Sequence, residues 1–210
     1  MRPYRTSLAD PTKILTRREL QMVLGDLSRK ATRSPSTRLN LIVFRLATCC
    51  GLRASEIAHL QIGDVHIDLT RPHLRIRRGA AKGGRPRVVP LWWDAGTLDD
   101  ILRWKADRLR NGCGARSPFV APLRSARVFS RHTLRKRFRT ACRVLGSQRL
   151  ATLTIHHGRH TFISHALAGG RTLAEVRDAV GHANVSITSS YLHVAVDDHE
   201  VGELFAAAKA

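Results

Sequence analysis

The sequence predicts a mainly helical domain that contains one small three-stranded antiparallel β-sheet. Apolar residues recur at helical spacing before residue 60 and after residue 130, and they alternate with polar residues between positions 64 and 91. The chain has 210 residues, of which 43% are apolar, so it can bury a core of its own. A length in this range is typical of one domain.

The first half of the chain begins with three predicted helices. Thr16 and Glu19 have the spacing of a capping box, and the apolar residues after them predict a helix over residues 16–29. Two further helices are predicted over residues 38–50 and 54–60. The segments VHID, HLRIR and RVVPL then predict three short strands, and the glycine-rich turn before the last of them contains Lys82.

Helical spacing returns after Pro90. Ser130 is expected to cap a helix over residues 130–146, which carries one apolar stripe and is basic over the rest of its surface. The remaining helices are predicted over residues 157–168, 172–181, 185–193 and 198–209, with glycines between some of them.

The charge points to a polyanionic partner. Lys and Arg number 36 against 16 Asp and Glu, a formal net charge of +20, and residues 103–149 hold fourteen basic residues against one acidic residue. A nucleic acid or an anionic membrane surface is the expected partner of such a surface, and a solvated Arg-rich surface is the alternative. The most apolar stretch is interrupted by Arg45, so no membrane span is expected, and the N-terminus lacks a signal-peptide pattern. The four cysteines have no paired CxxC spacing, which indicates reduced thiols in a cytoplasmic protein.

Metal chemistry is not expected. No Asp or Glu lies between Arg108 and Ala174, so a two-metal nuclease site would have to come entirely from the flanking segments. His156 and His160 have the spacing of a zinc-binding helix, but the Glu that such a motif needs after the first His is absent.

Four segments resemble, in order and in spacing, the motifs of the tyrosine recombinase (phage integrase) family. They are CCGLRASEIAHL, AKGGRPRVVPL, TIHHGRHTFISHAL and VGHANVSITSSYLHV. The matching residues are Arg53, Lys82, His156, Arg159, His182 and Tyr191, with Glu56 one helical turn after Arg53. Gly158 stands where the family usually has Leu and is expected to loosen the start of its helix. Val180 and Ser189-Ser190 are smaller departures from the family motif.

The resemblance implies the recombinase catalytic-domain fold and an enzyme that cleaves and rejoins DNA without ATP, metal or any other cofactor. Tyr191 would form a 3′-phosphotyrosyl link, while Arg53 and Arg159 clamp the phosphate, since arginine stays charged and can donate two hydrogen bonds. His156 and His182 would donate hydrogen bonds to the same phosphate, and His156 would also be a candidate to accept a proton. Lys82 would protonate the leaving 5′-oxygen, and Glu56 would orient the pocket.

Double-stranded DNA is the partner that the resemblance implies. Residues expected to contact it are Arg77, Arg78, Arg85, Arg131, Arg135, Lys136 and Arg139. The helix predicted over residues 198–209 is acidic with an apolar stripe, and in the family such a helix often packs into a neighbouring protomer. We therefore expect dimers or tetramers on DNA, with an accessory DNA-bending or clamp protein as a further possible partner.

The family segment that opens the catalytic domain begins here at Leu15, after a flexible basic arm over residues 1–14. The sequence therefore predicts a catalytic domain over residues 15–210 without the N-terminal clamp domain that is usual in the family. A compact enzyme resembling the fimbrial phase-switch invertases, a piece of a longer integrase, and a recombinase that needs an accessory protein all stay open. Two alternative functions also stay open: relaxation of DNA as by a type IB topoisomerase, and a non-catalytic DNA-binding regulator on the same fold.

Overall fold

The structure, a computed structural model, describes residues 10–79 and 86–192. The helices within these ranges are α1 (Arg17–Ala31), α2 (Pro35–Thr48), α3 (Ala54–His59), α4 (Ala95–Arg110), α5 (Arg131–Ala141), α6 (Gly146–Thr152), α7 (Ile155–Ala168), α8 (Leu173–Val180) and α9 (Val185–Ser189). The strands are β1 (Val65–His66), β2 (His73–Ile76) and β3 (Arg87–Pro90). This mainly helical architecture with a three-stranded sheet confirms the predicted fold class.

Helix α2 is the centre of the main hydrophobic core. It is buried on nearly every side and packs against α1, α4, α5 and α7. Its Phe44 ring stacks on Phe138 of α5, with the ring centroids 5.8 Å apart. Helix α1 begins as the sequence predicts, because the Thr16 hydroxyl accepts from the Glu19 amide and the Glu19 carboxylate accepts from the Thr16 amide.

The three strands pair in the order β1-β2-β3, antiparallel throughout. Leu74 of β2 lies between Val65 of β1 and Val89 of β3, and all three side chains are buried. This apolar face packs against the helices, and β3 contacts α8. None of the described helices has the length and apolar composition that a membrane span requires.

Two regions differ from the prediction. The helix expected over residues 130–146 ends at Ala141 and continues as a 3-10 turn (Cys142–Leu145). The chain changes direction at Gly146, the first residue of α6, where φ is 83°. The loose arm expected over residues 1–14 does not extend to positions 10–14: Pro11–Lys13 form a 3-10 turn, and Arg149 donates to the carbonyl oxygens of Thr12 and Ile14 at 2.6 and 2.8 Å. Residues 1–9 of that arm, the glycine-rich turn over residues 80–85 and the helix expected over residues 198–209 lie outside the described residues.

A second, smaller apolar cluster joins α7 and α8 to the segment that follows α9. Phe162 of α7, Val176 of α8 and Tyr191 contribute to it, and Trp93 stacks on Phe162 at 5.9 Å between centroids. This cluster fixes the position of Tyr191 relative to the basic residues of α7.

Candidate active site

Five of the six residues that match the family motifs fall within the described ranges, and all lie at or near helix ends. Arg53 caps α3, His156 and Arg159 lie in the first two turns of α7, His182 follows α8, and Tyr191 follows α9. The sixth, Lys82, lies outside the described residues.

Arg159 is a buried cation held by the backbone. Its side chain donates to the carbonyl oxygens of Gly51 at 2.7 Å and Val180 at 2.6 Å, and the residue is 2% exposed. Burial, followed by the positive charge of Arg53, lowers the pKa of Arg159 to about 9, against the opposing influence of Glu56. The guanidinium therefore keeps its charge at neutral pH in a fixed position.

Glu56 binds two of the neighbouring arginines. Its fully buried carboxylate accepts from the Arg53 amide at 2.8 Å and from Arg53 Nη1 at 3.1 Å. Arg87 of β3 donates to both carboxylate oxygens, each at 2.8 Å, and its Nε donates to the carbonyl oxygen of Ala179 in α8. Burial raises the pKa of Glu56, but the hydrogen bonds and charge of Arg87 outweigh it, so the net shift is downward. This arrangement supports the expected orienting role of Glu56 and ties α3, β3 and α8 together.

Two glycines permit these close contacts. Gly51 has φ 63°, and a Cβ there would lie 2.5 Å from Phe162 Cδ1. Gly181 has φ 67°, and a Cβ there would lie 2.8 Å from Arg87 Cδ. Each glycine adjoins part of the arginine network, so the backbone approach depends on the missing side chain.

His182 is a neutral ring beside the cations. Its Nδ1 lies 2.9 Å from the hydroxyl of the buried Thr188. Burial, then the charges of Arg159, Arg53 and Arg87, lower the pKa of His182 to about 3. In the tautomer that carries its proton on Nε2, the neutral ring accepts from Thr188 at Nδ1 and has Nε2 as a hydrogen-bond donor.

Tyr191 is nearly buried, and its hydroxyl contacts a histidine. It is 9% exposed, and its oxygen lies 2.5 Å from Nδ1 of His160, with the two rings stacked at a centroid distance of 5.6 Å. Burial raises the pKa of Tyr191, and the charge of Arg159 opposes that rise. The side chain is thus a neutral phenol at neutral pH.

His156 lies farther out than the other predicted residues. It is exposed on the first turn of α7 and, with Arg53, lines a groove of about 930 Å³. Its ring meets the ring of His160 edge-on at 4.7 Å. His156 therefore faces the space beside Arg53, whereas His160 contacts the tyrosine.

The predicted basic helix forms the other wall of this groove. Arg131, Arg135 and Arg139 of α5 are exposed and line it together with Arg53 and His156. Lys136 lines an adjoining cavity of about 600 Å³. The structure thus brings four of the seven predicted DNA-contact residues to one side of the domain.

The other three predicted DNA contacts are not part of that wall. Arg77 donates to both carboxylate oxygens of Asp64, with its Nη2 at 2.6 Å from Oδ2. It is therefore already an ion-pair partner, although its side chain is 42% exposed. Arg78 is exposed next to the end of β2, and Arg85 lies outside the described residues.

Two residues of the site were missed from the sequence, and one expectation was wrong. Arg87 was interpreted only as part of a strand, and His160 only as part of a zinc-like spacing, although the family motif itself ends in His. Gly158 does not loosen α7, which begins at Ile155. A Cβ at Gly158 would lie 3.0 Å from the Cβ of Ala47, so the glycine instead lets α7 approach α2 closely.

The described residues contain no group of three or more His, Cys, Asp and Glu side chains placed to hold a metal ion. Arg159 lies near Tyr191, and the charges of Arg53 and Arg87 act on Arg159 in turn. Such an arrangement stabilises negative charge on phosphate oxygens, because guanidinium groups donate charge-assisted hydrogen bonds to phosphate.

Comparison with known proteins identifies the family of the chain. The family model for the phage integrase family matches residues 13–198. Tyrosine recombinase XerC of Corynebacterium efficiens is 30% identical to this chain, and the match covers 84% of this chain and 56% of XerC. Tyrosine recombinase XerD of Mycobacterium tuberculosis strain H37Rv is also 30% identical, and the match covers 99% of this chain and 64% of XerD. The crystal structure of XerH site-specific recombinase bound to difH substrate, in a pre-cleavage complex, superposes with a TM-score of 0.68 at 21% identity, over 86% of this chain and 50% of that one.

The fold is therefore that of the tyrosine recombinase catalytic domain. The chain belongs to the phage integrase family, whose model covers most of it. It spans about 56 to 64% of the length of these two relatives.

Proposed function

We propose that this chain is the catalytic part of a site-specific DNA recombinase that cleaves and rejoins DNA through a covalent 3′-phosphotyrosyl intermediate. The observation that carries the proposal is the position of the Tyr191 phenol, which packs against α7 and α8 where Arg159 is buried and held by the carbonyl oxygens of Gly51 and Val180. The relatives are named tyrosine recombinases, and XerH was solved with a DNA substrate, which supports the same activity here.

The chemistry follows from the charges. Attack of the Tyr191 oxygen on a DNA phosphate adds negative charge to the non-bridging oxygens, and Arg53 and Arg159 stabilise that charge. Arg159 uses two N–H groups for backbone carbonyls and has five in all, so it can hold its position and still donate to phosphate. His182 donates from Nε2, and His156, on the groove side of Arg53, contacts the same phosphate or the next one along the strand.

The leaving 5′-oxygen needs a proton, and we assign that proton to Lys82 on the basis of the family resemblance. Glu56 has no catalytic proton to accept, because its oxygens are already bonded to Arg53 and Arg87. It positions the arginines. The covalent phosphotyrosyl link retains the energy of the phosphodiester bond, so a 5′-hydroxyl can reverse the step without ATP.

The duplex is held by the groove between α5 and α7. Arg131, Arg135 and Arg139 neutralise phosphates next to the reacting one, with Lys136 and Arg78 as outer contacts. Arg77 pairs with Asp64 and is a weaker candidate. Arg85 and Lys82 come from the same turn and are assigned only by resemblance.

Assembly into dimers or tetramers on DNA is part of the proposal, with the segment over residues 198–209 as the exchanged element. Removing residues 198–210 is expected to abolish pairing of two DNA sites in a gel-shift assay, and unchanged pairing would contradict that assignment. An accessory DNA-bending protein remains a possible partner. An enzyme that acts on bacterial DNA is expected at the nucleoid.

The decisive experiment is covalent capture. The 210-residue chain is incubated with sheared DNA of the organism that carries its gene, denatured with detergent, and the DNA that stays attached is sequenced. A nicked duplex made from the recovered site should then trap the covalent adduct. Tyr191→Phe should form none, whereas Tyr4→Phe, which alters the only other tyrosine of the chain, should react like the parent protein.

Each outcome has a definite meaning. Absence of any adduct, or an adduct with Tyr191→Phe, contradicts the proposed function. Adducts at many unrelated sequences, together with relaxation of supercoiled plasmid and no joining of two sites, would indicate a type IB topoisomerase activity instead. Tight DNA binding with no adduct would indicate a regulator.

A further inference from the structure

We infer that His160 is a further catalytic residue, which takes the phenol proton of Tyr191 during attack and returns it when the DNA is rejoined. The inference deepens the proposed function and rests on it. It gives a chemical role to His160, the last histidine of the segment that resembles the family's His-x-x-Arg-His motif.

The contact itself is the first argument. The Tyr191 oxygen lies 2.5 Å from His160 Nδ1, so the two atoms are in direct hydrogen-bond contact with no room for a water molecule between them. Stacking of the two rings aligns them, and the buried position of Tyr191 limits access of water to the phenol. The proton therefore has an acceptor within the protein before DNA binds.

The charges around His160 decide its role in that bond. It faces His156 and His157 on its own helix, Lys13 from the N-terminal turn, Arg159, and Tyr191. Burial first, then the charges of His156 and His157, lower the pKa of His160 to about 4. The ring is neutral at pH 7, and in the tautomer that carries its proton on Nε2 the phenol donates to Nδ1; this is the tautomer that we assign. With the proton directed at His160, the lone pairs of the oxygen are available for the phosphate.

The other groups near Tyr191 are occupied in different contacts. Arg159 can only donate, and Glu56 is fully buried and bonded to Arg53 and Arg87. His182 has its Nδ1 on Thr188. Among the described residues, His160 is the titratable group for which a hydrogen bond to the Tyr191 oxygen is observed.

The Tyr191 oxygen forms a bond to phosphorus, the bond from phosphorus to the 5′-oxygen breaks, and the phenol proton moves to His160 Nδ1. A separate acid protonates the 5′-oxygen. A bound phosphate brings negative charge that raises the basicity of His160, and phosphorylation makes the phenol oxygen a far weaker base, so both changes favour the transfer. In rejoining, the imidazolium returns the proton to the leaving phenolate.

The test compares His160→Ala and His160→Asn on the trapped nicked duplex, with His66→Ala as a matched histidine change outside the site. Loss of general-base catalysis should slow adduct formation by about 10²- to 10⁴-fold in both His160 variants, with His66→Ala unaffected. His160→Asn keeps a hydrogen-bond acceptor close to the position of Nδ1 but cannot take a proton, so it separates proton transfer from positioning. Gel-shift affinity and thermal melting of each variant check DNA binding and folding.

A second arm changes the acidity of the nucleophile. Replacing Tyr191 with 3-fluorotyrosine, whose phenol is more acidic, should shrink the rate penalty of His160→Ala, because less base is then needed. The inference is overturned if His160→Asn reacts at the parent rate, or if the penalty is the same with tyrosine and fluorotyrosine. A parent protein that forms no adduct at all overturns the proposed function as well, which distinguishes the two failures.

Discussion

Arg87 and Glu56 form a two-point ion pair in the interior, with Nη1 donating to Oε1 and Nη2 donating to Oε2, each at 2.8 Å. Arg87 is 7% exposed at its side chain and Glu56 is fully buried. The pair connects the strand next to the glycine-rich turn with the helix that Arg53 caps. It therefore holds α3, with Arg53 at its N-terminus, against β3.

Removing one partner of this pair should strongly destabilise the fold. Arg87→Ala leaves the buried carboxylate with Arg53 alone, and breaking a buried pair costs about 3–5 kcal/mol. Guanidinium denaturation measures the loss in the free energy of unfolding. The control is Asp178→Asn, which breaks the exposed pair with Arg177 and should cost at most about 1 kcal/mol. Equal losses for the two variants would contradict the structural role given to Arg87.

The backbone at Gly51 should tolerate no side chain. Gly51→Ala meets both a left-handed backbone and a Cβ 2.5 Å from Phe162 Cδ1, so we expect a loss of about 2–5 kcal/mol in the free energy of unfolding. Gly112→Ala is the matched control, because φ is 79° there but nothing lies within 4 Å of the added Cβ. Gly112→Ala should lower the free energy of unfolding by only about 1–2 kcal/mol, which is the cost of the left-handed backbone. If Gly51→Ala lost no more unfolding free energy than Gly112→Ala, the Phe162 ring would move away from the new Cβ without a measurable loss of stability.

Acid should destabilise the domain through two histidines of the site. The pKa of His160 is lowered to about 4 and that of His182 to about 3, against about 6.5 in an unfolded chain. Below pH 6.5 the unfolded state binds protons that the folded state does not, so stability falls as pH drops from about 6.5 toward 4. Because both rings are partly exposed, we expect a loss of only about 2 kcal/mol between pH 7 and pH 5.

Urea denaturation at a series of pH values measures that loss. The double variant His160→Asn, His182→Asn carries no titrating ring at either position and should show a distinctly flatter pH dependence over the same range. An unchanged pH dependence in the double variant would assign the acid sensitivity to other groups.

Local sequence signals were sufficient for most elements of the fold. The capping box at Thr16 and the apolar spacing after it predict α1, and alternation predicts the three strands, because these signals act within a few residues. The helix expected over residues 130–146 was predicted too long, since its apolar stripe continues through the 3-10 turn that follows Ala141. Periodicity does not separate the two helix types over so short a stretch.

Long-range ion pairs could not be predicted in this way. Arg45 interrupts the most apolar stretch of the sequence, yet it is buried and pairs with Asp94 and Asp100, about fifty residues away. Arg87 likewise acquires its role only when β3 meets α3 and α8. The same holds for His160, whose partner Tyr191 is 31 positions distant. The motifs identify residues that match a family, whereas these contacts depend on packing between elements.

The groove wall on α5 should account for part of the salt dependence of DNA binding. Arg131, Arg135 and Arg139 line the groove beside Arg53. If Arg135 contacts one phosphate, Arg135→Ala should reduce the slope of log affinity against log salt by about 0.9, since one fewer counterion is released. Fluorescence anisotropy with a labelled duplex, measured over a range of salt concentrations, gives the slope. Arg110→Ala removes an exposed arginine of α4 that pairs with Asp107 and lies outside the groove, so its slope should match the parent. If the net charge of +20 formed a uniformly basic surface, both variants would show the same reduction in the salt slope. A reduction for Arg135→Ala alone would assign DNA binding to the groove.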